Sequence, residues 1–177
     1  MKDIIIGVPM PEYPEIVLQT RRGNDSNVRN SQINEPLSSK DLHDSEIFKR
    51  SHNFATFRTG PCGYYNCHGL TFASRRTRIF EAADISKILY DDNYVLVDEK
   101  DVLPGDIIMY YRNGDPQHSG IVIYIPMQQE PIEYLKILSK WGSSHEVVHL
   151  LKDCPYYSSC DSILFYRIES VFHKDRL

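Results

Sequence analysis

The sequence predicts an α+β domain, in which one or two helices precede a largely antiparallel sheet. Three observations carry this. Two helix-period patterns sit together in the middle of the chain, over residues 66–80 and 82–92. Five β-rich runs follow, separated by turn residues. Helical and strand patterns occupy separate stretches and do not alternate, which argues against a parallel βαβ sheet.

The elements can be justified in chain order. Residues 3–8, "DIIIGV", read as a short strand. Residues 9–55 are rich in Pro, Asn, Ser and charge, with a short helix expected near 39–50 and little other periodicity. A stretch of that length is either a mobile arm or a wrap over the domain. The chain therefore divides into an irregular N-terminal arm or wrap over 1–56 and a folded domain over 57–177. "NCHGLTFASRRTRIF" reads as a helix opened by Asn66, a favoured N-cap residue. "AADISKILYDD" is a second helix, with Ile85, Ile88 and Leu89 as its apolar stripe. A Pro-Gly turn at 104–105 leads into "DIIMYYR", the first strong β-run, and "NGDPQ" reads as a loop. "HSGIVIYI", "IEYLKILSKWG", "EVVHLL" and "SILFYRIESV" are the remaining strands.

Bulk properties narrow the function classes. A formal charge of −4 argues against a general nucleic-acid binder. The basic run over 74–78, "SRRTR", is then a solvated helix face. No stretch reaches the roughly 18 apolar residues of a transmembrane helix. The first fifteen residues, cut by Pro9 and Pro11, do not form a signal peptide. Four cysteines in 177 residues are not a disulfide framework. Cytoplasmic location is expected, or secretion without a cleaved signal peptide, with no membrane association.

The chemistry-bearing stretch is "PCGYYNCHGLTF", residues 61–72. With Asn66 as cap, Cys67 is the first helical residue, among unpaired backbone N–H groups and the positive end of the helix dipole. Those features favour a thiolate and predict a lowered cysteine pKa. They can also hold an oxyanion. The competing reading is a small buried hydrophobe, as free cysteines often are. Gly69 is expected to let the helix approach the sheet. His118, at the start of "HSGIVIYI", is the candidate base, and Gly120 on its face leaves open space for a helix or substrate.

"NCHGLTF", "DVLPGDIIMYY" and "HSGIVIYI", in this order and spacing, resemble the papain-like NlpC-type peptidases and amidases and the related CHAP amidases. The likeness covers residues 57–142. The later "SKWG" and "FYR" resemble a bacterial branch with the same core. The resemblance implies a papain-like catalytic domain, with a nucleophile helix packed on a curled antiparallel sheet. It maps Cys67 to the nucleophile and His118 to the base of a cysteine-dependent peptidase or amidase. The substrate would be a peptide or protein amide, and no cofactor is needed. The alternatives are a papain-like domain that binds protein without turnover, and an effector performing transamidation or deamidation. A partner protein docking through the N-terminal arm is a further expectation.

In the resembled family a polar residue on the next strand orients the imidazole. Alternation places Leu135, Ile137, Ser139 and Trp141 on one face, so Ser139 is the expected third residue, with Glu146 and His149 as rivals. Tyr64, Tyr65 and Trp141 are candidate substrate contacts. His68 should point away from Cys67 and be structural. The cysteine pairs 62/67 and 154/160 lack zinc-knuckle spacing, so no metal is expected.

Overall fold

The computed structural model describes residues 13–23, 27–126 and 130–169. The strand expected over 3–8 lies outside the described residues. The described chain is a mixed α+β structure: three helices and one open, seven-stranded antiparallel sheet. In chain order these are α1 (Ser39–Ser51), β1 (Thr56–Phe57), α2 (Cys67–Ala73), α3 (Ala82–Asp91), β2 (Tyr94–Val97), β3 (Ile107–Arg112), β4 (Asp115–Tyr124), β5 (Lys136–Lys140), β6 (Glu146–Leu150) and β7 (Ser162–Ile168). The sheet order is β1-β6-β5-β4-β3-β7-β2. No helix among the described residues is long and apolar enough to cross a membrane.

Both faces of the sheet are covered, which is why β3 reads as a continuous apolar run rather than an alternation. On one face Ile107 and Met109 pack with Ala73 of α2, Ile85 and Ile88 of α3, and Leu18 and Val28 of the N-terminal segment. On the other, Ile108, Tyr110, Val122, Ile137 and Phe165 pack with Val102, Leu151 and Cys154. The described N-terminal segment is thus a wrap. Its Asn30 holds Ile16 at both backbone groups and accepts from Thr77, so residues before 57 contribute to the core.

Four local expectations need correction. The "NGDPQ" loop shrinks to Asn113 and Gly114, both with positive φ, because Arg112 pairs directly with Asp115 in a two-residue hairpin. The helix opened by Asn66 stops at Ala73. Ser74 and Arg75 turn left-handed, and Arg75 N–H caps the Gly69 carbonyl at 3.0 Å. The chain then returns through Thr77, whose carbonyl would lie 1.8 Å from a Cβ on residue 69, so Gly69 serves this turn rather than a sheet contact. The basic run over 74–78 is consequently not a helix face. Arg75 and Arg78 are both bonded within the protein.

Candidate functional site

The site is built where β4 parts from β5. Their pairing ends at Gly120–Ser139, whereas β4 stays paired with β3 through Ser119–Met109 and His118–Tyr110. A Cβ at residue 120 would meet Ile137 Cγ2 at 2.6 Å. The space at Gly120 is therefore filled by β5 and is not open to a substrate. Beyond this pair α2 crosses β4 and β5 with Cys67 leading. Asn66 fixes that helix start. Its Oδ1 accepts from Gly69 N–H at 2.9 Å and Ile79 N–H at 3.2 Å, and its Nδ2 donates to Ile79 O at 2.6 Å.

Cys67 is 7% exposed. Burial pushes its thiol up to about 11, outweighing the stabilisation offered by Ser119, by His68 and by its own N–H. The expected lowering is thus corrected. A seven-residue helix offers a short dipole, and a buried thiolate loses its hydration.

His118 is fully buried on β4. Its ring stacks on Tyr156 at 4.2 Å and 5°, with Tyr110 tilted at 5.4 Å. Neither ring nitrogen has a hydrogen-bond partner among the described residues. Burial, reinforced by His149 and His68, holds its pKa well below the usual value. The next residue, Ser119, points to the helix side, where its hydroxyl meets His68 Nδ1 and Thr71 Oγ1, each at 2.9 Å. Thus Ser119 meets α2 while His118 faces the other way. No hydrogen bond joins Cys67 and His118, and both are neutral near pH 7.

Ser139 lies on the His118 side of the sheet, as its alternation with Ile137 requires. Its hydroxyl, however, bonds His149 Nε2 at 2.8 Å. His149 Nδ1 meets Leu150 O at 2.8 Å, so it carries the proton, and Ser139 must donate. Glu146 is on the opposite face. It accepts from Arg75 Nε at 2.6 Å and Nη2 at 3.0 Å, and from the Tyr65 hydroxyl at 3.1 Å. Tyr65 is therefore committed to the core rather than to a substrate groove. Tyr64 is 48% exposed and lines a separate hollow with Leu42 and Pro61. His68 is buried and paired with Ser119, a structural position.

Sequence reasoning missed three groups. Tyr156, in "CPYYSSC", covers the imidazole, although this stretch raised only metal and disulfide questions. Lys140, assigned by alternation to the polar side of β5, is fully buried. Its ammonium donates to the carbonyls of Cys62 at 3.0 Å, Gly142 at 3.1 Å and Ser144, which pins the loop entering α2. Burial lowers its pKa to about 8. Phe48 of α1 packs edge-on against Trp141 at 5.4 Å. Phe48, Trp141, Pro155 and Tyr156, with Gly142, Ser144 and Ser159, line a pocket of about 300 Å³.

All four cysteines are free. Among the described residues no group of three or more His, Cys, Asp or Glu side chains is placed to hold a metal. No protein-family model, curated protein or solved structure matches this chain.

Proposed function

We propose that this chain is a papain-like cysteine peptidase or amidase of the NlpC/CHAP type, working by acyl transfer on a peptide or protein amide. One observation carries the reading. Cys67 opens a helix set into the fork between β4 and β5, one residue-step along β4 from a buried imidazole whose two nitrogens are unpartnered. A buried polar group left without a partner costs roughly 1–3 kcal/mol, which a fold tolerates most readily where the group works.

In this mechanism His118 turns from Tyr156 toward the thiol. Cys67 sulfur bonds the amide carbonyl carbon as its proton passes to His118. His118 returns that proton to the amine as the C–N bond breaks. Water then gives a proton to His118 and its oxygen to the acyl carbon, releasing the acid and restoring the thiol. Backbone N–H groups at Cys67 and Ser119 stabilise the oxyanion. Ser139 and His149, bonded to each other, wall the imidazole.

A second reading, a papain-like domain that binds protein without turnover, is favoured by the raised thiol pKa and the missing Cys67–His118 hydrogen bond. A peptidyl chloromethyl ketone separates the two. Turnover chemistry predicts alkylation of Cys67 near pH 7 at a rate well above that of a free cysteine peptide, retained in Cys62→Ala and lost in Cys67→Ala. Alkylation at Cys62, or none above the free-peptide rate, contradicts the peptidase reading.

A further inference from the structure

We infer that Lys140 is a positioning residue for Cys67: its buried ammonium is the keystone that joins the loop delivering the thiol to the turn between β5 and β6. This deepens the acyl-transfer reading and rests on it for the reaction that the position serves.

Three backbone carbonyls converge on one point. Those of Gly142 and Ser144 belong to the turn between β5 and β6, and that of Cys62 to the loop leading into α2. Lys140 Nζ donates to Cys62 O at 3.0 Å, to Gly142 O at 3.1 Å and to Ser144 O. Carbonyl oxygens aimed at one spot repel each other, and each needs a donor once buried. An ammonium supplies three donors and a positive charge together. Lys140 is fully buried on β5, and an apolar side chain would fill the same space at lower cost. What the ammonium adds is the junction. Burial lowers its pKa to about 8, so near pH 7 it carries its charge.

Arg78 fastens the same two segments. Its Nε donates to Gly63 O, and its Nη2 reaches Ser143 Oγ at 3.4 Å. Cys62 N–H adds a bond to Ser144 O at 3.2 Å. The loop is therefore tied at Cys62 and Gly63, and Asn66 caps the helix that Cys67 opens. Only Tyr64 and Tyr65 lie between the tie and the cap, and Tyr65 is itself bonded to Glu146. A shift of the tied carbonyls thus passes to Cys67 through a short, constrained path. Misplacing a reacting group by about 1 Å costs on the order of a hundredfold in rate.

The test removes the charge and then returns it. In the full chain, Lys140→Met keeps the bulk and loses the donors. With folding confirmed by a thermal melt at pH 7, the peptide covering 61–66 should exchange its amide hydrogens at least tenfold faster than in wild type. Peptides from α3 and β7 should keep their rates. Turnover of N-acetylphenylalanine p-nitrophenyl ester should lose at least tenfold in kcat, with KM within about threefold of wild type. Lys140→Ala leaves room for a free amine. Propylammonium should restore both readings in it, and 1-propanol, of the same size without the charge, should restore neither. Unchanged exchange over 61–66 in folded Lys140→Met, unchanged kcat, or equal rescue by the two compounds overturns the proposal. Should Lys140→Met fail to fold, the same contrast is read from the thermal midpoint of Lys140→Ala with each compound, where equal effects overturn it. Exchange over 61–66 that follows Lys140 in a protein whose wild type forms no acyl adduct leaves the junction and removes the peptidase reading.

Discussion

The two faces of the sheet treat buried polar groups in opposite ways. On the helix side each is answered: Asn66 by Gly69 and Ile79, His68 by Ser119, Glu146 by Arg75 and Tyr65, and Lys140 by three carbonyls. On the far side, the Tyr110 hydroxyl, both His118 nitrogens and the Trp141 indole are buried without a partner among the described residues. Ser139 and His149 satisfy each other there, and at the sheet edge Asp106 accepts from Arg167 and from Leu103 N–H. Satisfied groups hold a fold in register, and orphaned ones cost stability. The helix side is therefore the better anchored, and the far side carries the buried groups left unpaired among the described residues.

Acid should produce the largest effect. Burial holds both His68 and His149 down to about 4, against an ordinary 6.5. Between those values the unfolded chain binds a proton at each position and the folded chain does not, so stability rises with pH across the window. It is complete above pH 6.5 and falls, on the order of 3 kcal/mol per histidine, as the pH drops to about 4. Denaturant melts at pH 7.5, 6, 5 and 4.5 measure this. A constant midpoint across the series would show that these imidazoles are not desolvated.

Glu146→Ala comes next. It strips a nearly buried carboxylate from Arg75 and Tyr65, with Arg58 at 3.9 Å, and should cost about 3 kcal/mol. A urea midpoint corresponding to less than about 1 kcal/mol would remove the helix side's claim to be the anchored one. The smallest effects make the sharpest contrast. His68→Leu loses a satisfied bond and should cost about 1–2 kcal/mol. His118→Leu loses none and should fall within about 1 kcal/mol of wild type, or gain stability. The opposite ranking would break the comparison.

Much of this arrangement was legible in the sequence because it depends on local periodicity. Leu135, Ile137, Ser139 and Trp141 alternate onto one face, and β5 pairs in that register. Asn66 announced the helix start because capping is a one-turn interaction. The rest depends on contacts between distant residues. Nothing near residue 74 signals that the helix ends there; Arg75, just past that end, bonds Glu146, far along the chain. Lys140 looks solvated by alternation, since the three carbonyls that cage it come from turns around residues 62, 142 and 144. The lowered cysteine pKa was a helix-start argument, and burial, which no local pattern encodes, reversed it.

Cys67 is proposed to form an acyl-enzyme with His118 as its base. Intact-mass measurement after mixing with N-acetylphenylalanine p-nitrophenyl ester tests it most directly. One acyl adduct is expected, mapped to Cys67, retained in Cys62→Ala and absent in Cys67→Ala. Folded His118→Leu should acylate at least a hundredfold more slowly, within the range general-base catalysis supplies. An adduct forming at the wild-type rate in His118→Leu, or appearing on another cysteine, would contradict it.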